Sequence, residues 1–112
     1  MYVVTNKIII PKGNGDDLEK RFGPRGGVER EPGFKGFELW RCDPDTEAES
    51  GEEPEKEEYL VVTHWESEDY FRQWIRSDSF REAHANMRID YIVGPGELKR
   101  YEVRLSSSPV SV

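Results

Sequence analysis

The run Tyr59 to Trp65, YLVVTHW, alternates like a strand, yet neither of its sides is polar. Extended, it places Tyr59, Val61, Thr63 and Trp65 on one face and Leu60, Val62 and His64 on the other. A sheet built around such a strand needs cover on both faces, from helices of its own chain or from a partner. That requirement limits the architectures the remaining residues can form.

The rest of the chain supplies cover for one face. Tyr2 to Ile10 is a β-branched run ending at Pro11, and Phe34 to Cys42 follows a Pro32-Gly33 turn, so both are predicted strands. A Gly13-Asn14-Gly15 turn leads into a helix from Asp16 to about Arg25, with Leu18, Arg21, Phe22 and Arg25 on one side. Ser67 opens a second helix through Ile75 whose apolar side carries Tyr70, Phe71 and Trp74. Ser79 and Glu82 form an S-x-x-E capping box, which predicts a third helix from Asp78 to about Met87. After a Gly94-Pro95-Gly96 turn, Leu98 to Leu105 is the last strand. The order β-α-β-β-α-α-β predicts an α+β domain of ferredoxin-like split βαβ type, an antiparallel sheet with helices on one face. It spans residues 1–105, and SSSPVSV at 106–112 is a flexible tail.

Charge narrows function by exclusion. The 112 residues carry a net charge of −7, but nine acidic residues and one lysine lie between Asp43 and Glu58. The remaining 14 acidic and 15 basic residues nearly balance, so the excess is one acidic loop, 43–58, with the composition of a solvated connection. There is no basic stripe for a nucleic acid. No apolar run approaches the roughly 20 residues of a membrane span, and the N-terminus lacks the basic segment of a signal peptide. With Cys42 as the single cysteine, no internal disulfide forms, and a cytoplasmic location is expected. GNGDD has the wrong spacing for a dinucleotide or phosphate loop, and His64 and His84 do not form a zinc spacing.

Three polar residues stand where apolar ones belong. Val4, Asn6, Ile8 and Ile10 share the strand face expected to lie under the helices, which makes Asn6 a buried amide in need of a partner. Phe80, Ala83, His84 and Met87 fall at i, i+3, i+4 and i+7, so an imidazole sits on a helix stripe that should face the core. Arg25 continues the Leu18/Phe22 side. Each has an ordinary explanation: backbone hydrogen bonding for the asparagine, a core hydrogen bond for the histidine and snorkelling for the arginine. Taken together, an amide on the sheet and an imidazole on the covering helix describe an apolar cavity with polar tips.

These residues also carry a family resemblance. The chain resembles the IsdG-type heme-degrading monooxygenases of the antibiotic-biosynthesis-monooxygenase superfamily, especially the mycobacterial and staphylococcal members. The likeness runs from Val3 to about Met87, through LEKRF at 18–22, PGFKGFEL at 32–39, YLVVTHWES at 59–67, FRQW at 71–74 and SDSFREAH at 77–84. The discriminating set is Asn6, Trp74 and His84. The resemblance implies that His84 is the proximal ligand of a heme iron, Asn6 the distal amide, and Trp74 the indole that ruffles the porphyrin. Phe22 and Arg25 match distal-side positions that bind the heme. Heme would be both substrate and cofactor, with O2 and an external electron donor delivered by an unidentified reductase.

The face bearing Val3, Ile9, Leu60 and Val62 is left uncovered, so a homodimer is expected. The resemblance implies the same, a dimeric α+β barrel with a heme pocket in each subunit. Trp65 is read as structural, and His64 as outward-facing or at the dimer seam. Two other readings stay open: cofactorless oxygenation of quinols or aromatics on the same fold, and heme binding without turnover.

Overall fold

The computed structural model describes residues 1–23, 28–43, 55–86 and 89–110. Its elements are β1 (Tyr2–Pro11), α1 (Gly15–Arg21), a single 3-10 turn (Val28–Arg30), β2 (Phe34–Arg41), β3 (Lys56–Trp65), α2 (Glu68–Ile75), α3 (Asp78–Asn86) and β4 (Glu97–Glu102). The sheet order is β2-β3-β1-β4, and each neighbouring pair is antiparallel. β3 therefore lies between β1 and β2, which is the split βαβ arrangement expected from the order of elements.

Three boundaries differ from the sequence expectation by three residues or more, and one cap is a different serine. α1 stops at Arg21: Phe22 N–H still reaches the Leu18 carbonyl, but Gly23 N–H closes a tighter bond to Lys20, and Pro24 follows. Arg25 lies outside the described residues. β3 begins at Lys56, so Glu57 and Glu58 pair in the sheet and do not belong to the acidic loop, whose residues 44–54 lie outside the described residues. β4 ends at Glu102, well short of Leu105, because its partner runs out: Glu102 faces Tyr2, and Val103 N–H takes the Met1 carbonyl at 2.9 Å. The serine that caps α3 is Ser77, not Ser79; its Oγ accepts the Phe80 N–H at 3.1 Å. Among the described residues no helix is long and apolar enough to cross a membrane.

Register follows the alternation of YLVVTHW. Tyr59, Val61, Thr63 and Trp65 stand opposite Ile8, Asn6, Val4 and Tyr2 on the face that the helices cover. Trp65 is fully buried there, with its indole N–H satisfied by the Thr63 hydroxyl at 3.0 Å. Gly33, at φ +77°, has no side chain to collide with the Tyr70 ring and lets α2 close against the sheet. On the other face Val62 is fully buried between neighbouring strands, while Trp40 and Tyr101 remain about half exposed. His64 lies on that face, as the alternation requires, paired with Glu38 at 2.8 Å.

The core is divided. Tyr2, Val4, Val28, Trp65, Phe71 and Trp74 form one cluster, against which Phe80 and Ala83 pack. Ile8, Ile10, Leu18, Phe22 and Tyr59 form a second, against which Ile89, Tyr91 and Ile92 pack. Along β1 the boundary between the two is residue 6. An asparagine stands where an apolar side chain would have joined them.

Candidate functional site

The site is built outward from that boundary. Asn6 is half-buried, less enclosed than the sequence pattern implies, because it sits in the seam between the clusters and not beneath either one. Its cross-strand row reads Leu39, Val61, Asn6, Leu98, so the amide is bracketed by apolar side chains. Among the described residues no hydrogen bond engages it. Partial exposure makes that tolerable, since an amide can be solvated there at little of the cost of full burial.

The first cluster ends in a chain of rings. Trp65 stacks on Trp74 at 6.4 Å and 29°, and Trp74 meets Phe80 edge-to-face at 5.5 Å and 90°. Phe80 in turn lies 3.9 Å from the His84 ring, centroid to centroid. Ser77 fixes the corner between α2 and α3, because its hydroxyl donates to the Trp74 carbonyl at 2.7 Å and accepts the Phe80 N–H. Trp74 and Phe80 are therefore held by the same side chain.

His84 does not face the core. Phe80 and Ala83 of its stripe are partly buried, but His84 is exposed, one turn beyond Phe80. The stripe reaches the edge of the cluster before it reaches the imidazole; Met87, its fourth member, lies outside the described residues. Nδ1 of His84 lies 2.9 Å from the Phe80 carbonyl oxygen. A carbonyl can only accept, so Nδ1 carries a proton, and in a neutral ring the lone pair is then on Nε2. The imidazole is oriented through one nitrogen and left basic at the other, as a metal-ligating histidine needs to be.

On the far side of the seam Phe22, 9% exposed, stacks on Phe37 at 5.9 Å and 21°. α3 rests on the first cluster, whereas Ile89, Tyr91 and Ile92 rest on the second. Val93 N–H then pairs with the Ile9 carbonyl at 2.8 Å, and Tyr91 OH donates to Asp17 at 2.7 Å. The same carboxylate oxygen accepts the Arg21 Nε–H at 2.8 Å.

Of the residues singled out from sequence, Trp74 and His84 are joined through Phe80, Asn6 lies at the seam, and Phe22 lies beyond it. The bridging roles of Phe80 and Ser77 were not anticipated. Nor was the Tyr91–Asp17 bond, which spans 74 residues and leaves no trace in local patterning.

Known proteins share this fold and much of the sequence. The model of the family described as antibiotic biosynthesis monooxygenase matches residues 1–86. A heme-degrading monooxygenase of Shouchella clausii is 37% identical, with 99% of this chain and 97% of that protein covered. A mycobilin-producing heme oxygenase of Mycobacterium tuberculosis is 40% identical, with 92% of this chain and 89% of that protein covered. The solved structure of a heme-degrader from Mycobacterium tuberculosis, with two hemes bound in its active site, superimposes with a TM-score of 0.69 at 37% identity. That alignment covers 96% of this chain and 100% of the other.

The Tyr91–Asp17–Arg21 group is a latch with a defined pH range. The bond from Tyr91, and then that from Arg21, holds the Asp17 carboxyl below its ordinary value of 3.8. Partial desolvation, and then the bond to Asp17, pushes the Tyr91 phenol up to about 12. A lowered carboxyl contributes stability above its unfolded value and loses it as pH falls through the folded one. A raised phenol contributes below its unfolded value of 10.0 and loses it as pH climbs toward about 12. Tyr91→Phe should therefore melt lower than the parent by a constant margin at neutral pH. That margin should shrink below about pH 4 and above about pH 10. Thermal melts of both proteins against pH check this; a margin unchanged up to pH 12 would contradict the latch.

Proposed function

The chain belongs to the antibiotic biosynthesis monooxygenase family, and on that basis we propose that it is a heme-degrading monooxygenase whose single protein ligand to iron is His84. The observation that carries this reading is the His84 imidazole at the end of the aromatic chain, with Nδ1–H bonded to the Phe80 carbonyl and Nε2 without a hydrogen bond among the described residues. One imidazole is too few donors to hold a bare metal ion. It suffices for an iron whose four equatorial positions are filled by a porphyrin, and a neutral histidine is an ordinary donor there.

Bound heme supplies both the oxygen-activating iron and the carbon that is oxidised, with O2 and electrons from an external donor such as a reductase. The chain's own residues bind, orient and shield. His84 ligates from α3 while Phe80 fixes its ring plane. Asn6 faces the seam with an amide that donates a hydrogen bond but is no acid, so it steadies a polar ligand without delivering a proton. Phe22 and Phe37 wall the other side. Trp74 exposes only 5% of its surface, so it would press on a porphyrin through a narrow edge, braced behind by Trp65. Arg25 is assigned to the distal side by family likeness alone.

The uncovered sheet face is the surface for a second copy. Val3, Leu60 and Val62 lie on it with Trp40 and Tyr101, both about half exposed. Two such faces packed about a two-fold axis bury the apolar strip and leave the seams, on the opposite face, free for one heme each.

His84→Ala should fold normally and lose the five-coordinate ferric iron–imidazole spectrum on heme titration. A wild-type spectrum in that variant would move the ligand elsewhere, with His64 next to be tested. Asn6→Ala should keep heme affinity within about tenfold, roughly 1.4 kcal/mol, while turnover falls much further. Equal losses would make Asn6 a packing residue. Sedimentation at micromolar concentration should give a species of about twice the 13.0 kDa chain mass with or without heme. A stable monomer would contradict the pairing of the open faces.

A further inference from the structure

The second glycine of the Gly94-Pro95-Gly96 turn differs from the first. Gly94 has φ +73°, which explains its lack of a side chain. Gly96 is not among the positive-φ residues, so its backbone would accept alanine. What glycine supplies at 96 is space: a Cβ there would lie 2.8 Å from Oδ1 of Asn6 and 3.5 Å from its Cγ and Nδ2. The atom in the way is the far end of a movable side chain, so the collision would turn the amide and leave the fold standing. Gly96 immediately precedes β4, two residues before Leu98, the register partner of Asn6. The space a side chain would take at 96 is therefore bordered by the amide oxygen. Of the two ends of the amide the oxygen lies nearer that point, at 2.8 Å against 3.5 Å for Nδ2.

We infer that Gly96 is a positioning residue for Asn6, holding the amide with its oxygen toward β4 and its N–H2 toward the ligand. The orientation itself is a property of the free protein; its consequence for the ligand rests on the heme reading above.

The test compares Gly96→Ala, Asn6→Ala and the double variant. In the heme-free protein, the Asn6 side-chain N–H2 resonances, assigned by their loss in Asn6→Ala, should move in Gly96→Ala more than amides outside β1 and β4 do. In ferric heme-loaded protein, Gly96→Ala should weaken azide binding by about three- to tenfold, the worth of one net hydrogen bond. Heme affinity itself should stay within about threefold, because the porphyrin contacts are untouched. In the Asn6→Ala background the second substitution should have no further effect on azide, since the group it displaces is gone. Any lowering of the melting temperature by Gly96→Ala should likewise disappear in the double variant. Unmoved Asn6 resonances, or an azide loss that adds to that of Asn6→Ala, would overturn the inference. A protein that takes up no heme would overturn the heme reading, while the amide resonances still decide the role of Gly96.

Discussion

The arrangement depends on one interruption in an apolar row. Along the covered face of β1 the side chains run Tyr2, Val4, Asn6, Ile8, Ile10, and the core divides at the amide. A leucine or isoleucine at position 6 would gain about 2 kcal/mol of burial and knit the clusters into one. It would also close the seam that α3 approaches from one side and the segment after it from the other. The protein forgoes that packing, and the proposed heme site lies in the gap it leaves.

Each cluster then contributes what the seam needs. The first contributes rigidity: two tryptophans, a phenylalanine and the Ser77 hydroxyl hold the corner from which His84 projects. The histidine can be exposed because its ring is fixed from behind, by the Phe80 ring and carbonyl. The second cluster contributes the opposing wall and anchors the return of the chain through Tyr91 and Asp17. The ligand role proposed for His84 needs a donor both exposed and fixed, and one aromatic residue meets both demands.

Much of this was legible in the sequence, and the exceptions have physical causes. Strand positions, element order and the faces of β3 follow from alternation, because one slipped residue would turn Trp65 outward and His64 inward. The choice between Ser77 and Ser79 as cap could not be made from spacing, since both precede a suitable helix and only the close of α2 at Trp74 favours the first. The stripe Phe80, Ala83, His84 was correctly periodic, but periodicity does not say where a cluster ends, so the imidazole was placed in the core when it stands at its rim. Gly96 read as a turn residue because glycine in a Gly-Pro-Gly stretch usually is one. Its contact with Asn6 depends on the register of β4 against β1, a long-range property that no local pattern carries.

The central claim is that this seam turns heme over and does not merely hold it. Reconstituted protein, given a reductant and O2 with catalase present, should lose its Soret band while iron becomes available to a chelator. Catalase removes free peroxide, so decay that survives it arises at the site. A Soret band that persists, or decays only when catalase is left out, would contradict the account and leave a heme-binding protein in its place.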